Sequence, residues 1–165
     1  MKRSHLSLIA CLVLSSQAMA LSTDKDQPVY IDSDTQQLDM QSNQVTFTGD
    51  VQLKQGSINI NADEIIVTRN AKNGAIEGIE AYGDLATFSQ LTDDGKTLYG
   101  EAKHLHYKMV EDQLTMTDQA MLSQDGSEIR GSKIRYQISS QKLIADGKQS
   151  GDRVSTVLQP QAVQK

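Results

Sequence analysis

A chain of 165 residues has room for one domain with one core. Its 16 basic and 21 acidic residues leave a net charge of −5, and only 4% of the chain is aromatic; that balance argues against a nucleic-acid binder and against recruitment by anionic membranes. A single cysteine, Cys11, excludes a disulfide framework.

Met1 to Ala20 has the layout of a cleavable export signal. Lys2 and Arg3 form a basic start, Leu6 to Leu14 an apolar core, and Ala18-Met19-Ala20 a small-residue cleavage site. The apolar run is too short to span a bilayer. Leu8-Ile9-Ala10-Cys11 loosely matches a lipoprotein box, but it leaves Cys11 with little apolar sequence before it; cleavage after Ala20 is the expectation. Residues 21–165 are then a single domain with no cysteine and a net charge of −7, fourteen basic against twenty-one acidic residues. Export without disulfides points to a bacterial periplasm.

Leu21 to Gln27 is polar and is expected to be mobile. Pro28 opens a short strand at Val29-Tyr30-Ile31, a position tolerated at a sheet edge. Leu38 and Met40 alternate with Asp39. From Val45 to Lys54 the alternation runs without a slip: Val45, Phe47, Val51 and Leu53 fall on one face, Thr46, Thr48, Asp50 and Gln52 on the other. Gln55-Gly56 marks a turn. Ile58, Ile60 and Ala62 make a second apolar file, Ile65 and Val67 a third. Asn73-Gly74 is a hairpin signal. Ile76 to Ala81 continues the sheet weakly, Gly83 breaks it, and Ala86-Thr87-Phe88 resumes it. Asp93-Asp94-Gly95 turns the chain again. Leu105, Tyr107 and Met109 then alternate with His104, His106 and Lys108, and Leu114 to Ile138 carries further alternating segments. Val154-Ser155-Thr156-Val157-Leu158 is a last strand, ended by Pro160. A dozen or more short strands, and no helix in the mature chain, make the expected fold all-β.

The pattern repeats. A shift of 69 positions lays Leu114-Thr115-Met116-Thr117 under Val45-Thr46-Phe47-Thr48, Leu122 under Leu53, Gln124 under Gln55, Ile129 under Ile60 and Ile134 under Ile65. A fainter copy starts at Ala102. Repeated short strands predict a stacked, quasi-one-dimensional sheet.

Candidate chemistry is sparse. His104 and His106 share a strand face and lack an evident third ligand, so they read as solvated. Asp32, Asp34 and Asp39 lack calcium-loop spacing and read as turn and capping residues. No G-x-S-x-G motif is present, and no carboxylate pair is singled out, so no catalytic and no metal-binding residue is assigned. What remains is the apolar face: Val29, Ile31, Leu38, Phe47, Ile60, Val67, Phe88, Leu105, Tyr107, Met109 and Met116, with the small residues Gly49, Ala62, Ala102 and Ala120. Periodicity does not separate an ordinary closed core from a face with room for a guest.

From Gln27 to Val67 the chain resembles the periplasmic lipopolysaccharide-transport protein A (LptA) family, with its OstA-like domain. The resemblance rests on Gln27-Pro28, Ser33-Asp34, Leu38-Asp39-Met40, Val45-Thr46-Phe47-Thr48-Gly49, Gln55-Gly56 and Ile60-Asn61-Ala62-Asp63. Tyr82-Gly83, Ala86-Thr87-Phe88, His106-Tyr107 and Val154 to Leu158 extend it over the mature chain; the end after Pro160 is shorter than in relatives with a long polar tail. The resemblance implies a V-shaped, open β-jellyroll of stacked antiparallel strands. It implies no enzymatic activity and no cofactor, and a bridge across the periplasm from LptC and the LptB-F-G components to LptD at the outer membrane. Lipopolysaccharide acyl chains, the lipid A moiety, would lie along the apolar face. The terminal strands, Val29-Tyr30-Ile31 at one end and Val154-Ser155-Thr156-Val157-Leu158 at the other, would join copies head to tail through unpaired backbone groups. A β-solenoid enzyme acting on envelope polysaccharide and a ligand-free structural filament are the competing readings.

Overall fold

The computed structural model describes residues 24–147 and 151–160. The expected signal Met1–Ala20, the expected domain start at Leu21 and the end at Lys165 lie outside them. Ten strands follow a short 3₁₀ turn at Asp24–Asp26: β1 (Val29–Asp32), β2 (Thr35–Asp39), β3 (Gln44–Gln55), β4 (Ile58–Arg69), β5 (Ile76–Leu91), β6 (Thr97–Lys108), β7 (Gln113–Gln124), β8 (Ser127–Gln137), β9 (Lys142–Asp146) and β10 (Ser155–Val157). They form one antiparallel sheet in which β3 to β8 are neighbours in chain order. The fold is an all-β, open V-shaped jellyroll. Among the described residues, no helix is long and apolar enough to cross a membrane.

The expectation of a dozen short strands is corrected. Six of the ten are long, from 11 to 16 residues, and each bends in the middle. The ladder slips between Thr48 and Val51, Asn61 and Glu64, Tyr82 and Ala86, Glu101 and His104, and Thr117 and Ala120. These breaks line up across the sheet as a crease. Extra residues at a bulge bend a strand and reset its alternation, so one bent strand reads in sequence as two short ones. Gly83 is such a point. It lies inside β5, the longest strand, rather than between two strands.

The short strands obey the same rule. β1 pairs with Gln52–Gln55 of β3 and β2 with Gln44–Thr48, so they are the two halves of one bent edge strand broken at Ser33-Asp34. β9 and β10 divide β8 in the same way at the opposite edge. The crease thus separates two half-sheets that face each other.

Small residues sit where the halves come closest. Ala86 pairs with Ala102, Ala120 with Gly131, and Val51 with Ala62. Ala81, Ala86 and Ala102 are fully buried. Of the two meanings left open for Ala102 and Ala120, tight packing is the observed one. Gly49 belongs to the same line. Its φ of +85° is left-handed, and a Cβ there would fall 2.3 Å from the Asp34 carboxylate, so the turn needs glycine.

Candidate functional site

The inward side chains of both half-sheets form one continuous apolar cluster from Val51 to Ile138. The rings of Phe88 and Tyr136 meet across it edge to face, 6.4 Å between centroids. Six of the eleven residues assigned from the sequence are buried there: Ile60, Val67, Phe88, Leu105, Tyr107 and Met116. Val29, Ile31, Phe47 and Met109 are half-covered and pack against the cluster. Leu38 stands apart, 51% exposed on β2. The face is therefore shut along its middle and incompletely covered at its ends.

The two ends differ. At the β9/β10 end a cleft of about 320 Å³ opens among Leu98, Leu122, Ile129, Tyr136, Leu143 and Leu158. The Tyr136 hydroxyl is buried without a hydrogen-bond partner among the described residues. Burial, reinforced by Asp93 and Asp112, pushes its pKa up to about 12. Lys96, on the cleft wall, is held by Asp125 at 2.7 Å and Asp94 at 3.3 Å. Sequence reasoning missed Leu98, Leu122, Tyr136 and Leu143 as a group because they come from four strands and meet only at the sheet's end. At the β1/β2 end Val29, Ile31 and Leu38 form the last row, with Tyr30 66% exposed on the outer side.

The expected C-terminal edge, Val154 to Leu158, is where β10 runs. Ser155–Val157 pair with Glu128–Arg130 of β8, and Val157 and Leu158 remain exposed. The expected N-terminal edge, Val29, Tyr30 and Ile31, is β1.

The expectation of a mobile Leu21–Gln27 is corrected for its described part. Asp24 is 3% exposed. Its carboxylate accepts from the Ser57 backbone N–H at 2.8 Å, from the Ser57 hydroxyl and from Gln90 Nε2 at 3.3 Å. Gln55 Nε2 donates to the carbonyls of Lys25 and Gln27, both at 3.1 Å. A buried carboxylate is tolerated because donors surround it. No local pattern announces this anchor, since its partners lie 33 and 66 residues away.

The histidines are not simply solvated. The His104 ring stacks on Tyr82 at 4.5 Å, and burial holds its pKa below the usual imidazole range. Tyr82 donates to Glu80 at 2.7 Å, which pushes the phenol up to about 12. Asp39 caps the following turn, accepting from the N–H groups of Gln41 and Ser42. Among the described residues no group of three or more His, Cys, Asp or Glu side chains is placed to hold a metal ion.

Comparison with known proteins gives consistent results. Residues 30–142 match the family model described as LptA/(LptD N-terminal domain) LPS transport protein. The chain is 46% identical over 153 residues to the lipopolysaccharide export system protein LptA of Escherichia coli K12, covering 93% of this chain and 82% of that protein. It is 44% identical to the LptA of Haemophilus influenzae, covering 97% and 93%. The crystal structure of LptH from Pseudomonas aeruginosa, titled the LptA homologous periplasmic component of the conserved lipopolysaccharide transport device, superposes with a TM-score of 0.77 at 25% identity, covering 84% of this chain and 99% of that one.

Proposed function

The chain belongs to the LptA/(LptD N-terminal domain) family of LPS transport proteins, and from that premise we propose that it is a periplasmic carrier of lipopolysaccharide. It shelters acyl chains between its half-sheets and hands them along a bridge between LptC at the inner membrane and LptD at the outer. The role is transport, not catalysis. The observation that carries this reading is the apolar cluster, which runs from edge to edge of the sheet and is incompletely sealed at both. Acyl chains cross an aqueous compartment only if their surface stays covered, at about 25 cal/mol per Å². Phe88, Tyr107 and Met116 are buried between the half-sheets, so loading has the two half-sheets part, with lipid replacing the contact between them. The cleft at Leu143 and Leu158 is the natural point of entry. The phosphorylated headgroup stays outside, repelled by an acidic chain. Copies join head to tail, β9/β10 of one against β1/β2 of the next, as open-ended sheets do.

A photo-crosslinking side chain at Phe47, Phe88 or Tyr107 should capture lipopolysaccharide, and one at Thr48 or His106 on the opposite face should not. Equal capture from both faces, or none from either in protein that carries lipid, overturns the proposal and leaves the ligand-free filament.

A further inference from the structure

Within residues 29–69 and 98–138 the 69-residue repeat extends to the backbone ladder, at every pair but Val29↔Gln55. β2 meets β3 as β6 meets β7: Thr35↔Thr48 and Leu38↔Val45 shift onto His104↔Thr117 and Tyr107↔Leu114. β1 meets β3 likewise, Tyr30↔Lys54 shifting onto Tyr99↔Ser123. β3 meets β4 as β7 meets β8, down to the register slip, Thr48↔Glu64 and Val51↔Ala62 against Thr117↔Lys133 and Ala120↔Gly131. Residues 29–69 and 98–138 are thus two copies of one three-strand unit. The left-handed pair Gly49-Asp50 recurs as Asp118-Gln119.

Each unit also has the same neighbour after its last strand. β4 is followed by β5, through Ile65↔Ala81, Val67↔Ile79 and Ile60↔Phe88. β8 is followed by β9 and β10, through Ile134↔Ala145, Tyr136↔Leu143 and Ile129↔Thr156. So β9/β10 occupies behind the second unit the place β5 occupies behind the first. The other side of β5 pairs with β6, the first strand of the second unit. The equivalent strand of the first unit is β1/β2, whose outer side has no partner strand among the described residues.

We infer that the β5–β6 seam inside the chain is a template for the joint between two copies, and that it sets the register of that joint; the inference rests on the head-to-tail reading above. Ile79↔Tyr107 and Glu80↔His106 become Leu143 against Leu38, and Ile144 against Gln37, of the next copy. Gly78↔Lys108 becomes Lys142 against Asp39. Ser89↔Tyr99 and Gln90↔Leu98 become Val157 against Tyr30 and Leu158 against Val29. The chemistry fits at each place. Leu143, Leu158, Val29 and Leu38 fall on the inner face and extend the apolar cluster across the joint, closing over the 320 Å³ cleft. Val157 and Tyr30, exposed on their own edges, cover each other outside. Lys142 and Asp39 are opposite charges. A shift by one residue turns every inner side chain outward, and a shift by two separates both the leucine pair and the charge pair.

Cysteine pairs read the register directly, because Cys11 is the chain's only cysteine and lies in the segment expected to be removed. Directly opposed strand residues have Cβ atoms about 4.5–5.5 Å apart and diagonal ones about 7–8 Å, and disulfides need the close spacing. Full-length exported protein carrying Leu143→Cys is mixed with protein carrying Leu38→Cys, and Ile144→Cys with Gln37→Cys. One of these two adjacent pairs is of the closer, non-hydrogen-bonded kind. Under mild oxidation at least one should give a covalent dimer at several times the yield of the two-residue offsets Leu143→Cys with Gln36→Cys and Leu143→Cys with Met40→Cys. Light scattering on the same proteins under reducing conditions reports assembly itself. Assembly with cross-linking at an offset, or with none at the expected pairs, overturns the register and leaves head-to-tail joining in place. Monomers at every concentration overturn both.

Discussion

The two three-strand units share a ladder and differ in what lies beside it. Tyr107 of β6 and Leu38 of β2 hold the same place in their units, yet Tyr107 is 1% exposed and Leu38 51%. Leu98 is buried where Val29 is half-covered. Neither the strand's sequence nor its partner on the inner side accounts for this. The second unit has β5 along its first strand, and the first unit has nothing there among the described residues. Burial in a stacked sheet belongs to the neighbour as much as to the residue, and a strand with no neighbour on one side leaves its side chains open to water.

Paired substitutions at repeat-related positions sharpen that comparison. The largest contrast is expected between Tyr107→Ala and Leu38→Ala. Emptying the space of a buried aromatic costs about 3–5 kcal/mol, whereas Leu38→Ala in dilute, unassembled protein should cost less than about 1 kcal/mol because half of that side chain already meets water. Urea unfolding of both variants measures the difference, and equal losses would mean that the edge is covered within the single chain.

A smaller contrast is expected where the units begin. Asp24 and Asp93 are 69 positions apart, but Asp24 is buried among three donors and Asp93 is exposed. Asp24→Ala strands the Ser57 N–H and the Gln90 amide, a loss of about 1–3 kcal/mol. Asp93→Ala should stay within about 0.5 kcal/mol of the parent. If Asp24→Ala leaves the urea midpoint unmoved, the segment before β1 is not anchored in solution.

The smallest effect concerns Tyr136, whose place in the first unit is taken by Val67. Its phenol titrates near 12 in the fold against about 10 in an unfolded chain. The fold therefore favours the protonated form; this contribution is complete below pH 10 and is lost as pH rises through about 12. Tyr136→Phe removes a buried hydroxyl that has no partner among the described residues, so at neutral pH it should be neutral or stabilising by up to about 1 kcal/mol. It should also move the alkaline unfolding midpoint, followed by circular dichroism, to higher pH. A clear loss at neutral pH would mean the hydroxyl is bonded in solution, for example to water in the cleft.

The sequence by itself determined the β class, the two faces and the repeat. Alternation is local, and Val45 to Lys54 keeps the same parity on both sides of the crease because β3 carries one residue more there than β4, Gly49 and Asp50 lying opposite Asp63. The repeat of 69 was legible because the same inward and outward demands act twice on the chain. Six of the assigned face residues are in the buried cluster for this reason. Tertiary structure decided the rest. It joined half-strands such as Ile76–Ala81 and Ala86–Phe88 into one bent β5, because a bulge looks like a turn until its two arms are seen in the same ladder. It buried Asp24, whose donors come from distant turns. It closed Phe88 against Tyr136 and left Leu38 and Leu158 uncovered. Alternation sets which way a side chain points; only the opposing half-sheet and the neighbouring strand set what it meets there.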